Sequence, residues 1–123
     1  MLTASDLRAA FQSLRLKDVP VIAHASLSSF GQVDGGAPAV VDALLDCVAG
    51  LMVPVHTYVT MVTPRDGPAL NGIEYENGAA QSRNQHALFF NPDLPADGLM
   101  GQIAEAVRVH PDAKRSGHPI LSF

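Results

Sequence analysis

The chain has 123 residues, 47% of them hydrophobic and 16% charged, which is long enough for one buried core and too apolar for a disordered segment. The formal net charge is −4 with no block of like charges, so the clustered Lys and Arg that bind nucleic acid are missing and no nucleic-acid partner is expected. There is no basic leader at the start and no apolar run near the roughly 20 residues that span a bilayer, so a cytoplasmic protein without a membrane partner is expected.

Leu7, Ala10, Phe11 and Leu14 recur at helical spacing behind Thr3 or Ser5 as a cap, predicting a first helix that ends near Lys17-Asp18. Val19-Pro20-Val21-Ile22-Ala23 is a short apolar run, expected to be a strand buried on both faces with Pro20 at its start or on an edge. A loop rich in Ser and Gly follows, from His24 to Gly36. A second helical pattern then runs through Val40, Val41, Leu44, Leu45 and Val48, with Pro38 in its first turn. The lone Cys47 lies on this pattern, where a thiol packs as a small core residue.

Leu51-Met52-Val53-Pro54-Val55 predicts a second buried strand. From Thr57 to Pro95 the prolines and glycines interrupt every period, and a long irregular segment is expected, of the kind that lines a site. A last helix is predicted through Leu99, Ile103, Ala106 and Val107, capped by Asp97 and ended by His110-Pro111. Ile120-Leu121-Ser122-Phe123 is expected to be a third strand. The fold class is therefore α/β, with helices layered on a mixed sheet. A buried strand at the chain's end predicts an incomplete domain.

Between the first strand and the second helix, Ser26, Ser28 and Ser29 offer hydroxyls, and Gly31, Gly35 and Gly36 allow close backbone approach beside a helix N-terminus. That combination suits a phosphate or pyrophosphate; a tight structural loop would use the same residue types. The segment is neither a Walker loop nor a dinucleotide fingerprint. Arg115 and Ser116 form a second candidate anion site before the third strand, against the alternative of a solvated basic turn. His24 and His56 each follow a strand, where sites form in α/β sheets, or serve as hydrogen-bonded structural residues. The five histidines lack the spacing of paired metal ligands, so no metal is expected. Glu74 and Glu76, with Asp66 and Asp93, give the central segment an acidic character; paired carboxylates of this kind receive ammonium groups or act as bases, or are simply solvated.

The run His24-Ala25-Ser26-Leu27-Ser28-Ser29-Phe30-Gly31-Gln32-Val33-Asp34-Gly35-Gly36-Ala37, with Val40-Val41-Asp42-Ala43-Leu44-Leu45 after it, resembles the opening of the aminoglycoside 3-N-acetyltransferases. The resemblance continues through Met52-Val53-Pro54, Phe90-Asn91-Pro92 and Met100-Gly101-Gln102-Ile103-Ala104-Glu105. It ends on Arg115-Ser116-Gly117-His118-Pro119 and Ser122-Phe123. Two departures are the short join Cys47-Val48-Ala49-Gly50 and the weakly matching segment from Tyr58 to Leu88. The resemblance implies that residues 1–123 are the amino-terminal part of one such domain. It implies acetyl-CoA as co-substrate, a small-molecule amine as acceptor, and CoA contacts at Ser26, Leu27, Ser28, Gly31, Gly35 and Gly36. The family's base, a histidine beside a carboxylate, has no counterpart in this sequence, so no catalytic residue is assigned and the polypeptide alone is expected to be inactive. The alternative is a non-catalytic module that holds CoA or a similar anion.

Overall fold

The computed structural model describes residues 1–75 and 78–123, so the predicted role of Glu76 lies outside the described residues. Helix α1 (Ala4–Ser13) opens on a capping box. The Thr3 hydroxyl accepts from the Asp6 N–H, and the Asp6 carboxylate accepts from the Thr3 N–H at 2.9 Å. The helix ends a turn earlier than its periodicity predicts, because Arg15 turns into the left-handed region at φ 58° and Leu14 is left exposed.

Strands β1 (Pro20–Ile22) and β2 (Gly50–Met52) pair in parallel, with Val21 opposite Leu51, and Pro20 opens its strand as expected. The sheet has these two strands alone among the described residues, rather than the mixed sheet predicted. Strand β1 is not buried on both faces, since Ile22 is 63% exposed. Helix α2 (Gly36–Leu45) joins the strands as a parallel crossover must. It packs on α1 and on α4 (Gly101–Arg108), and Leu7, Val40, Val41, Ala43 and Ile103 form the main core. Cys47 is buried at its edge. A smaller cluster of Val53, Val55 and Ala104 seats α4 against the end of β2.

The central segment is less irregular than its composition suggests. Helix α3 (Gly78–Asn84) buries Ala80, and Asn84 clamps Thr63 by accepting its N–H at 2.9 Å and donating to its carbonyl at 2.7 Å. Seven residues are too few to display a helical period amid prolines. Asp97 does act as a cap, but of a short 3-10 turn (Gly98–Met100) that leads into α4. Residues 120–123 do not form the predicted strand. They make half of an antiparallel ladder instead: the Val55 N–H donates to the Ser122 carbonyl at 2.9 Å, and the Thr57 N–H to that of Ile120 at 2.8 Å. The return bonds are diverted, since the Val55 carbonyl accepts from the Ser122 hydroxyl and that of Thr57 from the Thr60 hydroxyl.

Candidate functional site

The loop from His24 to Gly36 leaves the carboxyl end of β1 and is pinned at two points. Leu2 bridges Val33, with the Leu2 N–H on the Gln32 carbonyl at 2.7 Å and the Asp34 N–H on the Leu2 carbonyl at 2.9 Å. Leu27–Phe30 forms a 3-10 turn whose Leu27 and Phe30 pack on the core, while the serine hydroxyls stay outside. Ser26 and Ser28 face each other, Oγ to Oγ, at 2.8 Å.

Some of the loop's donors are consumed internally. The N–H groups of Ser29, Gly31 and Gly36 serve the carbonyls of Ser26, Ser28 and Val33. Those of Leu27, Ser28, Gly35 and Ala37 have no partner among the described residues. They cluster at the starts of the 3-10 turn and of α2, where helix geometry leaves donors over and the dipole favours an anion. Gly35 and Gly36 hold φ at 78° and 62°, and a Cβ on Gly35 would come within 3.0 Å of the Ala39 Cβ. Gly35 is therefore required by the entry into α2 whether or not a ligand approaches.

Ser26 also lines a cleft of about 290 Å³ between the carboxyl ends of both strands and α4, together with His24, Pro54, Met100 and Ile103. Its position outside the ends of parallel strands is the usual one for a ligand crevice in an α/β sheet. Met100 and Ile103 were not among the predicted site residues; they read as core positions of an amphipathic helix, and no sequence signal separates the two roles.

Arg115 and Ser116 lie elsewhere, in a trough beside β2 and the end of α4. Arg115 is not free to take an anion. Its guanidinium donates from Nε to the Ser122 hydroxyl at 3.0 Å, and from Nη1 to the carbonyls of Pro92, at 3.0 Å, and Leu94. Nη2 donates to the Val55 carbonyl at 2.7 Å and the Thr57 hydroxyl at 2.6 Å. These five bonds use all five N–H donors of the side chain. The cation also stands 5.3 Å from the Phe90 ring centroid, and partial burial pushes its pKa down. Ser116 exchanges bonds with the Phe123 backbone, its N–H donating to the carbonyl and its hydroxyl accepting from the amide. The structure thus separates the two sets of candidate residues: the Ser26–Gly36 loop keeps open donors, and Arg115 organises the fold.

None of the histidines is hydrogen-bonded to a side-chain carboxylate among the described residues. His56 Nδ1 meets the Tyr58 hydroxyl at 3.2 Å, while the Nδ1 atoms of His110 and His118 accept from nearby backbone amides. No group of three or more His, Cys, Asp or Glu among the described residues could hold a metal ion.

The sequence profile of the aminoglycoside 3-N-acetyltransferases matches residues 22–123. The chain is 37% identical over 109 residues to the SPbeta prophage-derived aminoglycoside N(3')-acetyltransferase-like protein YokD of Bacillus subtilis, covering 87% of this chain and 39% of that protein. It is 31% identical to aminoglycoside N(3)-acetyltransferase IX of Micromonospora chalcea, over 98% of this chain and 42% of that enzyme. The crystal structure of YokD superimposes with a TM-score of 0.77 at 32% identity, covering 98% of this chain and 48% of that one. AAC-IIIb bound to CoASH and AAC-VIa bound to sisomicin match with TM-scores of 0.70 and 0.72, each at 25% identity over 98% of this chain and 44% of theirs. The chain thus spans under half the length of the relatives it matches. A profile match from the first strand to Phe123, on a backbone shared with solved members, places this chain in the aminoglycoside 3-N-acetyltransferase family.

Proposed function

We propose that this chain supplies the CoA-binding loop of an N-acetyltransferase that acetylates an amine of an aminoglycoside-like acceptor. The observation that carries the reading is the set of N–H groups without a partner among the described residues, at Leu27 and Ser28 beside the Ser26–Ser28 hydroxyl pair and at Gly35 and Ala37 where α2 begins. Donors at two helix starts suit the phosphates of a CoA thioester, whose reactive end would then reach the cleft below Ser26. Solved relatives that bind CoASH and sisomicin support both ligand classes.

The reaction joins an unprotonated amine to the thioester carbonyl. A base takes the ammonium proton, the amine nitrogen attacks, backbone N–H groups hold the tetrahedral oxyanion, and its collapse expels the CoA thiolate, which takes up the second proton from the new amide nitrogen. No described histidine has the carboxylate partner expected of that base. We therefore place the base in the part of the family fold that residues 1–123 do not span, and the reaction in the cytoplasm.

Calorimetric titration of the chain with CoA tests the assignment. Ser28→Ala removes a hydroxyl from an exposed turn, and the fold should be unchanged by circular dichroism. Losing one hydrogen bond to a charged group weakens affinity by about 1.5–3 kcal/mol, or roughly tenfold or more. Equal affinity in the folded variant, or no CoA binding by the parent chain, would sink the reading.

A further inference from the structure

Leu99 stands on a short turn at the mouth of the cleft that Ser26 lines. Its neighbour Met100 packs on the smaller core cluster, whereas Leu99 is 82% exposed. An exposed leucine is ordinary by itself. The setting of this one is not, because Asp97 fixes its backbone. The Asp97 N–H donates to the His56 carbonyl at 2.8 Å, which ties the turn to the segment after β2. The Asp97 carboxylate accepts from the Leu99 N–H at 3.0 Å, and its carbonyl accepts from the Met100 N–H at 2.8 Å.

The turn also abuts the donor loop. A Cβ on Gly101 would stand 3.9 Å from the carbonyl oxygen of Ala25, the residue before Ser26. Below Leu99 the cleft of about 290 Å³ has an apolar floor, since Val53, Ile103 and Ala104 line it and are buried. Ser26 shares this cleft, and the N–H groups of Leu27 and Ser28, without a partner among the described residues, follow it directly in the chain. Open polar donors and a fixed, solvent-facing leucine therefore meet at one opening.

We propose that Leu99 is a specificity-determining contact for the pantetheine arm of CoA, packing on the geminal dimethyl group next to the diphosphate. The inference rests on the CoA reading of the loop. A ligand with its phosphates on the loop donors and its thioester in the cleft must lay the first carbons of its arm across the opening, where Leu99 stands. Those carbons are the apolar part of the arm, and the amides come after them. Burying the leucine against them favours the whole cofactor over a bare nucleotide, which offers phosphates but no apolar arm. The Asp97 bonds hold the turn in place before the ligand arrives, so little further ordering is needed on binding.

Calorimetric titration with CoA and with adenosine 3′,5′-bisphosphate, which lacks the arm, tests the proposal. Leu99→Ala should weaken CoA binding about tenfold and leave the bisphosphate unchanged. Leu99→Met keeps an apolar side chain of similar volume and should stay within about threefold of the parent for CoA. In the CoA complex, nuclear Overhauser contacts should join the Leu99 methyls to the geminal methyls of the arm. Equal CoA affinity in Leu99→Ala, an equal loss for the bisphosphate, or absence of those contacts overturns the proposal. So does self-association of the parent that Leu99→Ala abolishes in sedimentation, which would assign the side chain to a second copy. A parent that binds no CoA removes the loop assignment and Leu99 with it, whereas CoA binding that ignores Leu99 removes Leu99 alone.

Discussion

Arg115 carries more of the tertiary structure than any other side chain described. Its planar fork gathers Val55 and Thr57 after β2, Pro92 and Leu94 in the central segment, and Ser122 near the end of the chain. Thr57 and Ser122 are 1% and 0% exposed, so losing the fork strands buried acceptors and hydroxyls. Lysine keeps the charge but offers three donors on a single point and cannot span this set. Arg115→Lys should lower unfolding free energy by about 2–4 kcal/mol, the sum of one or two unsatisfied buried groups, as measured by urea titration. A change within the error of the extrapolation would show that the network is not a structural one. The sequence marked Arg115 as notable, as an anion site or a solvated basic turn, without showing its bonds to its own chain. A basic residue flanking a turn has the same local appearance whether its partners are a ligand's phosphates or five groups of its own chain.

Helix α4 joins two parts of the structure through Glu105. Its carboxylate accepts from Arg108 at 2.6 and 2.9 Å and from the Ala96 N–H at 3.0 Å, tying the helix to the segment before the Asp97 cap. The Arg108 hydrogen bonds, followed by that of Ala96, hold the Glu105 carboxyl below its ordinary range against the opposing effect of partial burial. A carboxyl depressed in the folded state adds stability above its unfolded titration range and loses it as pH falls through the folded value. Stability should therefore decline on acidification below the usual glutamate range. Glu105→Gln should flatten that part of the profile in urea titrations run at a series of pH values. An equally steep acid limb in the variant would contradict this. Periodicity found α4 and its Ile103, Ala106 and Val107 face, because both are local properties, but it wrongly included Leu99, which lies in the preceding 3-10 turn and is 82% exposed. The tie to Ala96 was out of reach, since no pattern in either segment specifies the other.

At the scale of the molecule, the chain presents a loop with open N–H donors and a cleft, without a histidine–carboxylate pair among the described residues. If the base lies in the part of the fold that this chain does not span, the cleft binds without turning over. Thiol release from acetyl-CoA in the presence of sisomicin should then stay at the level of a buffer blank for residues 1–123. Release that scales with protein concentration would locate a competent base here. The loop, its neighbouring helix and the βαβ connection were legible because each is continuous in sequence: β1, Ser26–Gly36 and α2 follow one another directly. Helix α3 was missed because its stability comes from Ala80 burial and the Asn84–Thr63 clamp rather than from a period.

The sequence by itself determined the α/β class, the order of the main elements and the family, because these depend on local propensity and on motifs read in a line. Only the tertiary structure decided that the sheet is a parallel pair. It also decided that Arg115 faces inward and that 120–123 pair with Val55 and Thr57 as half a ladder. The physical reason is common to all three. Backbone and guanidinium donors bind whichever acceptors the fold brings within about 3 Å, and that proximity joins residues 60 or more positions apart, whose identities carry no record of one another.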